Sequence, residues 1–271
     1  MIEKDILLDN LSKIEHLTFR CECCKKGVKL LDQSKYFESE SEFSRSEFTE
    51  EVNGFKTKIH RRFSAGFICS NPECGDISIF VGDKNSVLKL EEGICQGKVT
   101  QFPVHHDKIT IYDIIPTLNL FDIKSYSFKA EASALEGELE EAFSIFWRNA
   151  DCCGMKIRSV LEVVMDDNGI DKTHIPMSGK NKGKVTTYNL YERIELFHDK
   201  YPNEDLKAVL NNLRKLGNIG SHPRENLTRE KLVFMLETLE CILNQLYTDN
   251  RKKLVELDKK LIEFMTNTQF N

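Results

Sequence analysis

No stretch of this sequence approaches the roughly 18 to 20 apolar residues that a membrane-spanning helix needs, and the mean hydropathy is -0.40. A helical membrane span is therefore excluded. A basic excess is missing too, because 38 Lys and Arg stand against 43 Asp and Glu, for a net charge of -5. Proteins that coat nucleic acid usually carry the opposite balance, so any nucleic-acid contact here must be local. Met1, Ile2, Glu3, Lys4 and Asp5 put acidic side chains where a secretory signal is basic and then apolar, and the expected location is the cytoplasm. There is no GxxxxGKS or GxxxxGKT phosphate loop, since Met177-Ser178-Gly179-Lys180 holds too few of its positions. Nor does a paired-carboxylate or Ser/His/Asp constellation stand out along the chain.

What is present is enough apolar material for a core: 271 residues, 40% of them hydrophobic and 30% charged, which suits one large domain or two modest ones. Residues 4–14 carry Ile6, Leu7, Leu11 and Ile14 at helical spacing. Residues 38–51, rich in Ser and Glu, lack a sustained apolar period and read as an exposed insertion. Residues 55–70 and 76–81 hold β-branched and aromatic side chains bounded by glycines, which is strand and turn chemistry, and 87–90 and 99–104 continue it. Residues 1–115 thus read as mostly β.

Beyond Pro116 the pattern changes. Leu135, Leu139, Phe143, Phe146 and Trp147 mark a stripe with a period of about 3.6 residues. Asp151 suits the N-cap of a second helix burying Met155, Ile157, Val160, Leu161 and Val164 and ending near Asn168-Gly169. A Lys- and Gly-rich connection over 171–184 leads to helices over 188–198 and 204–216. Leu232, Met235, Leu236, Leu239, Ile242, Leu243 and Leu246 then stripe a long helix, bent near 248–250 before a last one over 254–264.

Nine cysteines in a chain expected in a reducing compartment point to metal ligation or buried thiols rather than disulfides. Cys21-Glu22-Cys23-Cys24 contains a C-x2-C pair and Cys69 to Cys74 a C-x4-C pair, each at the end of a β-type segment. Two such thiolate loops can close a tetrahedron, so Cys21, Cys24, Cys69 and Cys74 are the expected ligands of a structural zinc ion. All-thiolate closure leaves no open position for catalysis, and the binding energy goes into folding a small β module. Unrelated reduced cysteines in a β domain are the plainer reading, and Cys23 competes with Cys24 for one ligand place. Cys152, Cys153 and Cys241 lie on apolar helices and read as small core residues.

Phe146 to Glu162, reading Phe-Trp-Arg-Asn-Ala-Asp-Cys-Cys-Gly-Met-Lys-Ile-Arg-Ser-Val-Leu-Glu, resembles the signature of the domain-of-unknown-function family numbered 4145. The element Leu190-Tyr191-Glu192-Arg193-Ile194 and the segment from Arg214 through Gly217-Asn218 to His222-Pro223 match that family in the same order. The resemblance runs over about 112–247 and implies an N-terminal cysteine-paired segment, consistent with a zinc-ribbon-like module. It also implies membership of the helical HEPN (higher eukaryotes and prokaryotes nucleotide-binding) superfamily, which includes RNases of toxin, restriction and antiphage defence systems.

In active members of that superfamily an Arg and a His a few residues apart, often with Asn directly after the Arg, form a metal-independent RNA-cleaving site across a homodimer. Histidine serves as general acid or base near neutral pH, and arginine holds the phosphate. Carried onto this chain, the resemblance assigns Arg214, Asn218 and His222 to such a site, while Arg158 and Glu162, an i, i+4 pair, form either an intrahelical brace, the favoured reading, or a support for that region. The chain departs from the pattern, because Gly217 stands directly before Asn218 and Arg214 lies well upstream of His222. Capping and bracing at a helix end is the plainer role for the three.

Two basic patches suit local nucleic-acid contact: Lys56, Lys58, His60, Arg61 and Arg62 on a strand, and Lys172, Lys180, Lys182 and Lys184 in the flexible connection. The lysines 180, 182 and 184 are the better placed, although a solvated face explains either patch. The resulting expectation is an α+β protein, with a zinc-ribbon-like β-rich module over 1–115 and an all-α HEPN-like bundle over 116–271. It acts as a homodimer on a protein partner of a defence system or on RNA. The first reading is binding without catalysis, and the alternative is a metal-independent endoribonuclease.

Overall fold

The computed structural model describes residues 11–25, 27–46, 51–52, 55–95, 98–128, 132–179, 181–219 and 227–248. The expected helices over 4–14 and 254–264 fall largely or wholly outside them. The architecture is α+β: an antiparallel five-stranded sheet followed by a set of helices. The sheet strands are β1 (Phe19–Arg20), β2 (Val28–Glu40), β5 (Lys58–Cys69), β6 (Ile77–Cys95) and β7 (Lys98–Ile115), in the order β1-β2-β5-β6-β7. A short helix α1 (Glu42–Ser46) and a two-residue hairpin, β3 (Glu51–Val52) with β4 (Phe55–Lys56), lie between β2 and β5.

Period-two alternation sets the sheet's faces. Phe63, Ala65 and Phe67 of β5 are buried while Ile68 points outward. The Phe67 ring packs at a tilt on Phe80 of β6, 4.8 Å between centroids, and Phe19 of β1 closes the group at 5.0 Å from Phe80. Each such ring contributes ~1.5–3 kcal/mol on burial. Residues 38–40, read from sequence as part of an exposed insertion, instead finish β2. Glu38 pairs with Arg61 and Lys84, both at 3.3 Å, and Glu40 with Lys56 at 2.6 Å. The alternation here is carried by charge pairs rather than apolar residues, which hides it from a hydrophobicity pattern.

Five helices follow: α2 (Ala132–Phe146), α3 (Ala150–Asp167), α4 (Leu190–Lys200), α5 (Glu204–Ile219) and α6 (Arg229–Tyr247). Helix α3 is central and touches the other four. Its N-cap is Asn149, whose side chain accepts the Cys152 N–H at 2.9 Å, and not Asp151 as the sequence suggested. Asp151 instead accepts the Leu227 N–H at 2.7 Å, tying α3 to the start of α6. Met155 faces out, and Cys153 and Met165 help to fill the buried stripe. The connection after α3 contains a small hairpin, β8 (Thr173–His174) with β9 (Thr186–Thr187), beside which the His174 and Tyr188 rings stack at 4.0 Å.

Sheet and helices meet through residues 117–128. Leu118, Leu120, Phe121 and Ile123 are buried there, and Phe121 sits edge-on to Phe143 of α2 at 4.9 Å. Arg148, between α2 and α3, reaches Asp113 of β7 at 2.6 Å.

Candidate functional site

The turn after β1 and the turn after β5 bring four thiols together. Cys21 Sγ lies 3.7 Å from Cys74 Sγ, and Cys24 Sγ lies 3.6 Å from Cys69 Sγ. All four sulfurs fall within 4.8 Å of one another, and none is in a disulfide. Four thiolates at ~2.3 Å from a shared tetrahedral centre stand about 3.8 Å apart, so the spacing fits a metal ion. Cys23 is exposed and outside the group, which decides the fourth member in favour of Cys24.

The backbone is arranged around the sulfurs. Cys21 accepts the Lys25 N–H through its carbonyl at 2.9 Å, with Lys25 in the left-handed region at φ 57°. The Gly27 N–H then points at Cys24 Sγ at 3.3 Å, and the Asn71 N–H at Cys69 Sγ at 3.4 Å. Such N–H donors stabilise thiolate charge and orient the ligands. A Cβ at Gly27 would stand 2.2 Å from Cys69 Sγ, so only glycine permits the two turns to close.

Beside the cluster lies Lys29, 0% exposed, with its Nζ 2.8 Å from Asp76 Oδ2. Cys21 Sγ reaches the same carboxylate at 3.4 Å. The hydrogen bond from Lys29 holds the Asp76 carboxyl below the usual carboxylate range, while burial pushes the Cys21 thiol up. The buried ammonium neutralises Asp76, which would otherwise stand as an unpaired carboxylate against the Cys21 sulfur. Lysine and aspartate were missed from sequence because their spacing, unlike the cysteine pairs, carries no signal.

On the helical side Arg158 lies 3.6 Å from Glu162, the contact their i, i+4 spacing allows. Glu162 has a stronger partner in Arg193, only 2% exposed, which donates to its carbonyl and its carboxylate, both at 3.1 Å. Arg193 also donates to Asp166 at 2.6 Å and to the Ile170 carbonyl at 2.9 Å. The family-like Leu190 to Ile194 element thus supplies a clamp between α3 and α4.

Arg214 donates to Asn211 at 3.3 Å, and its guanidinium lies 5.4 Å from the Tyr191 ring centre. Gly217 is buried where α5 crosses α3, and a Cβ there would come within 2.9 Å of the Gly154 carbonyl and 3.1 Å of Arg158 Cβ. The position directly before Asn218 therefore has no room for an arginine. Asn218 is half-buried on the same turn of α5. His222 lies outside the described residues, as does Lys180, while Lys182 and Lys184 are exposed.

The basic strand is largely neutralised by the Lys56 and Arg61 ion pairs described above. His60 Nε2 is 2.6 Å from Asp83, which also accepts from the Tyr112 hydroxyl at 2.7 Å, and His60 Nδ1 is 2.8 Å from Ser41 Oγ. Ser41 Oγ in turn accepts the Ser44 N–H at 3.3 Å. This series, spread over distant sequence positions, pins α1 to the sheet. Of the three helix cysteines only Cys153 is buried. Cys152 and Cys241 are exposed, against the expectation of core positions.

Residues 140–263 match the model of a family described as Domain of unknown function (DUF4145), in agreement with the resemblance carried by the helical half. No curated protein and no solved structure matches the chain. No helix among the described residues is long and apolar enough to cross a membrane.

Proposed function

We propose that the protein is a non-catalytic binding component of a defence or toxin system, built from a zinc-ribbon-like module and a HEPN-like helical bundle. The observation that carries this reading is the closed set of four thiols, which fills a tetrahedron and leaves no position for substrate or water. Zinc suits the donor set, since soft thiolates in a tetrahedron select it over the harder divalent ions. The ion supplies folding energy to the module that presents the binding surface. Buried Gly217, where α5 meets α3, supports the absence of catalysis, because it leaves no room for an arginine directly before Asn218. The defence setting and assembly as a homodimer through helices rest on the family resemblance, and cytoplasmic location on the acidic residues among Met1 to Asp5. Partners are a protein of the same system or RNA, the latter met by Lys180, Lys182 and Lys184.

The alternative, a metal-independent endoribonuclease using Arg214, Asn218 and His222, is favoured by one observation: Arg214 and Asn218 share a face of α5 one turn apart. Incubating wild type and His222→Ala with total RNA, without added metal, separates the two. The proposal expects intact RNA with both proteins. Cleavage by wild type that His222→Ala abolishes at matched fold, leaving cyclic phosphate ends, would establish the alternative instead.

A further inference from the structure

The alternation that turns Phe63, Ala65 and Phe67 of β5 into the core sends Ile68 to the opposite face of the sheet. Register sets its neighbours there. Leu30 of β2 and Ile77 of β6 flank Ile68 on either side. One row further along β6, Ile79 pairs with Ile115 of β7, and in the row after that Phe37 of β2 stands opposite Ser64. These six side chains are between 38% and 66% exposed. An antiparallel sheet with a free second face normally turns polar residues to water there. A run of large apolar side chains across four strands instead marks a surface that another protein covers.

We infer that this face docks on the same face of a second copy of this chain, the two sheets stacked about a two-fold axis near Ile79. Area supports the assignment. The exposed parts of the six side chains amount to ~500 Å², so two facing patches bring ~1,000 Å² of apolar surface together. Homodimer interfaces are ~65% apolar, which scales this to ~1,500 Å² in all, the standard size of a stable interface.

Charge points to an identical partner. The carboxylates on this face are already paired within the chain, Asp113 with Arg148 and Asp83 with His60, both at 2.6 Å, and Lys35 lies 4.0 Å from Asp32. A face with its charges matched internally meets its own copy without an excess of either sign. Arg62, exposed at one margin, is four residues along β5 from Gly66, the partner of Ile79. That puts it ~13 Å from the axis, so the two copies' arginines stand ~26 Å apart, well beyond the ~8 Å screening length. The inference is independent of the binding function proposed above, and this contact is distinct from a dimer formed through the helices.

Sedimentation velocity of the full chain from ~1 to ~100 µM tests it, since interfaces of this area hold at µM or tighter. Wild type should carry at least twice the chain mass of 31.3 kDa at the upper end. Ile79→Glu should halve that mass and weaken self-association at least ~100-fold, because symmetry places two unpaired carboxylates in one interface. Leu30→Lys, on a different strand, should act in the same direction. Both side chains are exposed in the single chain, so the sheet's circular dichroism and the zinc content should stay unchanged. Equal masses for wild type and both variants overturn the inference, whether all are single chains, which leaves the face to a different protein, or all are dimers, which places the contact on the helices.

Discussion

Lys29 and Arg193 are the most deeply buried cations among the described residues, and each is held by carboxylates or carbonyls instead of standing alone in the core. Removing the buried cation takes from its carboxylates their most enclosed donor and leaves a gap in the packing around it. Arg193→Ala should therefore lower stability by ~3–5 kcal/mol in chemical denaturation, because Glu162 and Asp166 lose their shared donor. Arg193→Lys should recover only part of it, since an ammonium lacks the planar fork that reaches Glu162, Asp166 and Ile170 together. Lys29→Met keeps the volume and removes the charge. Its expected effect is a 10- to 100-fold weaker hold on the metal in chelator competition, roughly the range for groups that support metal ligands. Unchanged affinity would show that Lys29 matters only to packing.

At the scale of elements, the helices were legible because their apolar residues recur at a regular period, and α2 and α3 fall close to where that period places them. The boundary of α3 was not, since Asn149 and Asp151 are both good caps and only the direction of the Cys152 N–H separates them. Strand β2 was half hidden because Glu38 and Glu40 find their partners on β4, β5 and β6, far along the chain. The cysteine pairs were visible because two thiols a few residues apart on one turn leave a recognisable spacing. The choice between Cys23 and Cys24 required the backbone. Asn149→Ala should cost ~1 kcal/mol in thermal unfolding by freeing one N–H of the first turn. Gly217→Ala should cost ~1–3 kcal/mol, because the added methyl meets the Gly154 carbonyl across the α3–α5 crossing. A neutral result there would mean the crossing opens easily, and with it the case against an arginine at that position.

Across the whole molecule, the sheet is organised around the cysteine cluster and the helices around α3, with residues 117–128 between them. Glu22, inside the first cysteine turn, accepts the Asn119 N–H at 3.2 Å, so the cluster also positions the start of that bridge. The single tryptophan, Trp147, is buried on the helical side against Phe146 and Arg229. It reports chiefly on its helical surroundings. Stripping the metal with a chelator should remove the sheet's circular dichroism signature while Trp147 emission keeps its position, and returning zinc should restore the sheet. Loss of both signals at one chelator concentration would show instead that the two parts fold as one unit.

The central claim is a closed all-sulfur metal centre in the β-rich half. Zinc-edge X-ray absorption of the purified full chain tests it most directly. The account predicts one shell of four sulfurs at ~2.3 Å with no oxygen or nitrogen neighbour. A shell containing a water or imidazole, or protein that folds without bound metal, would contradict it.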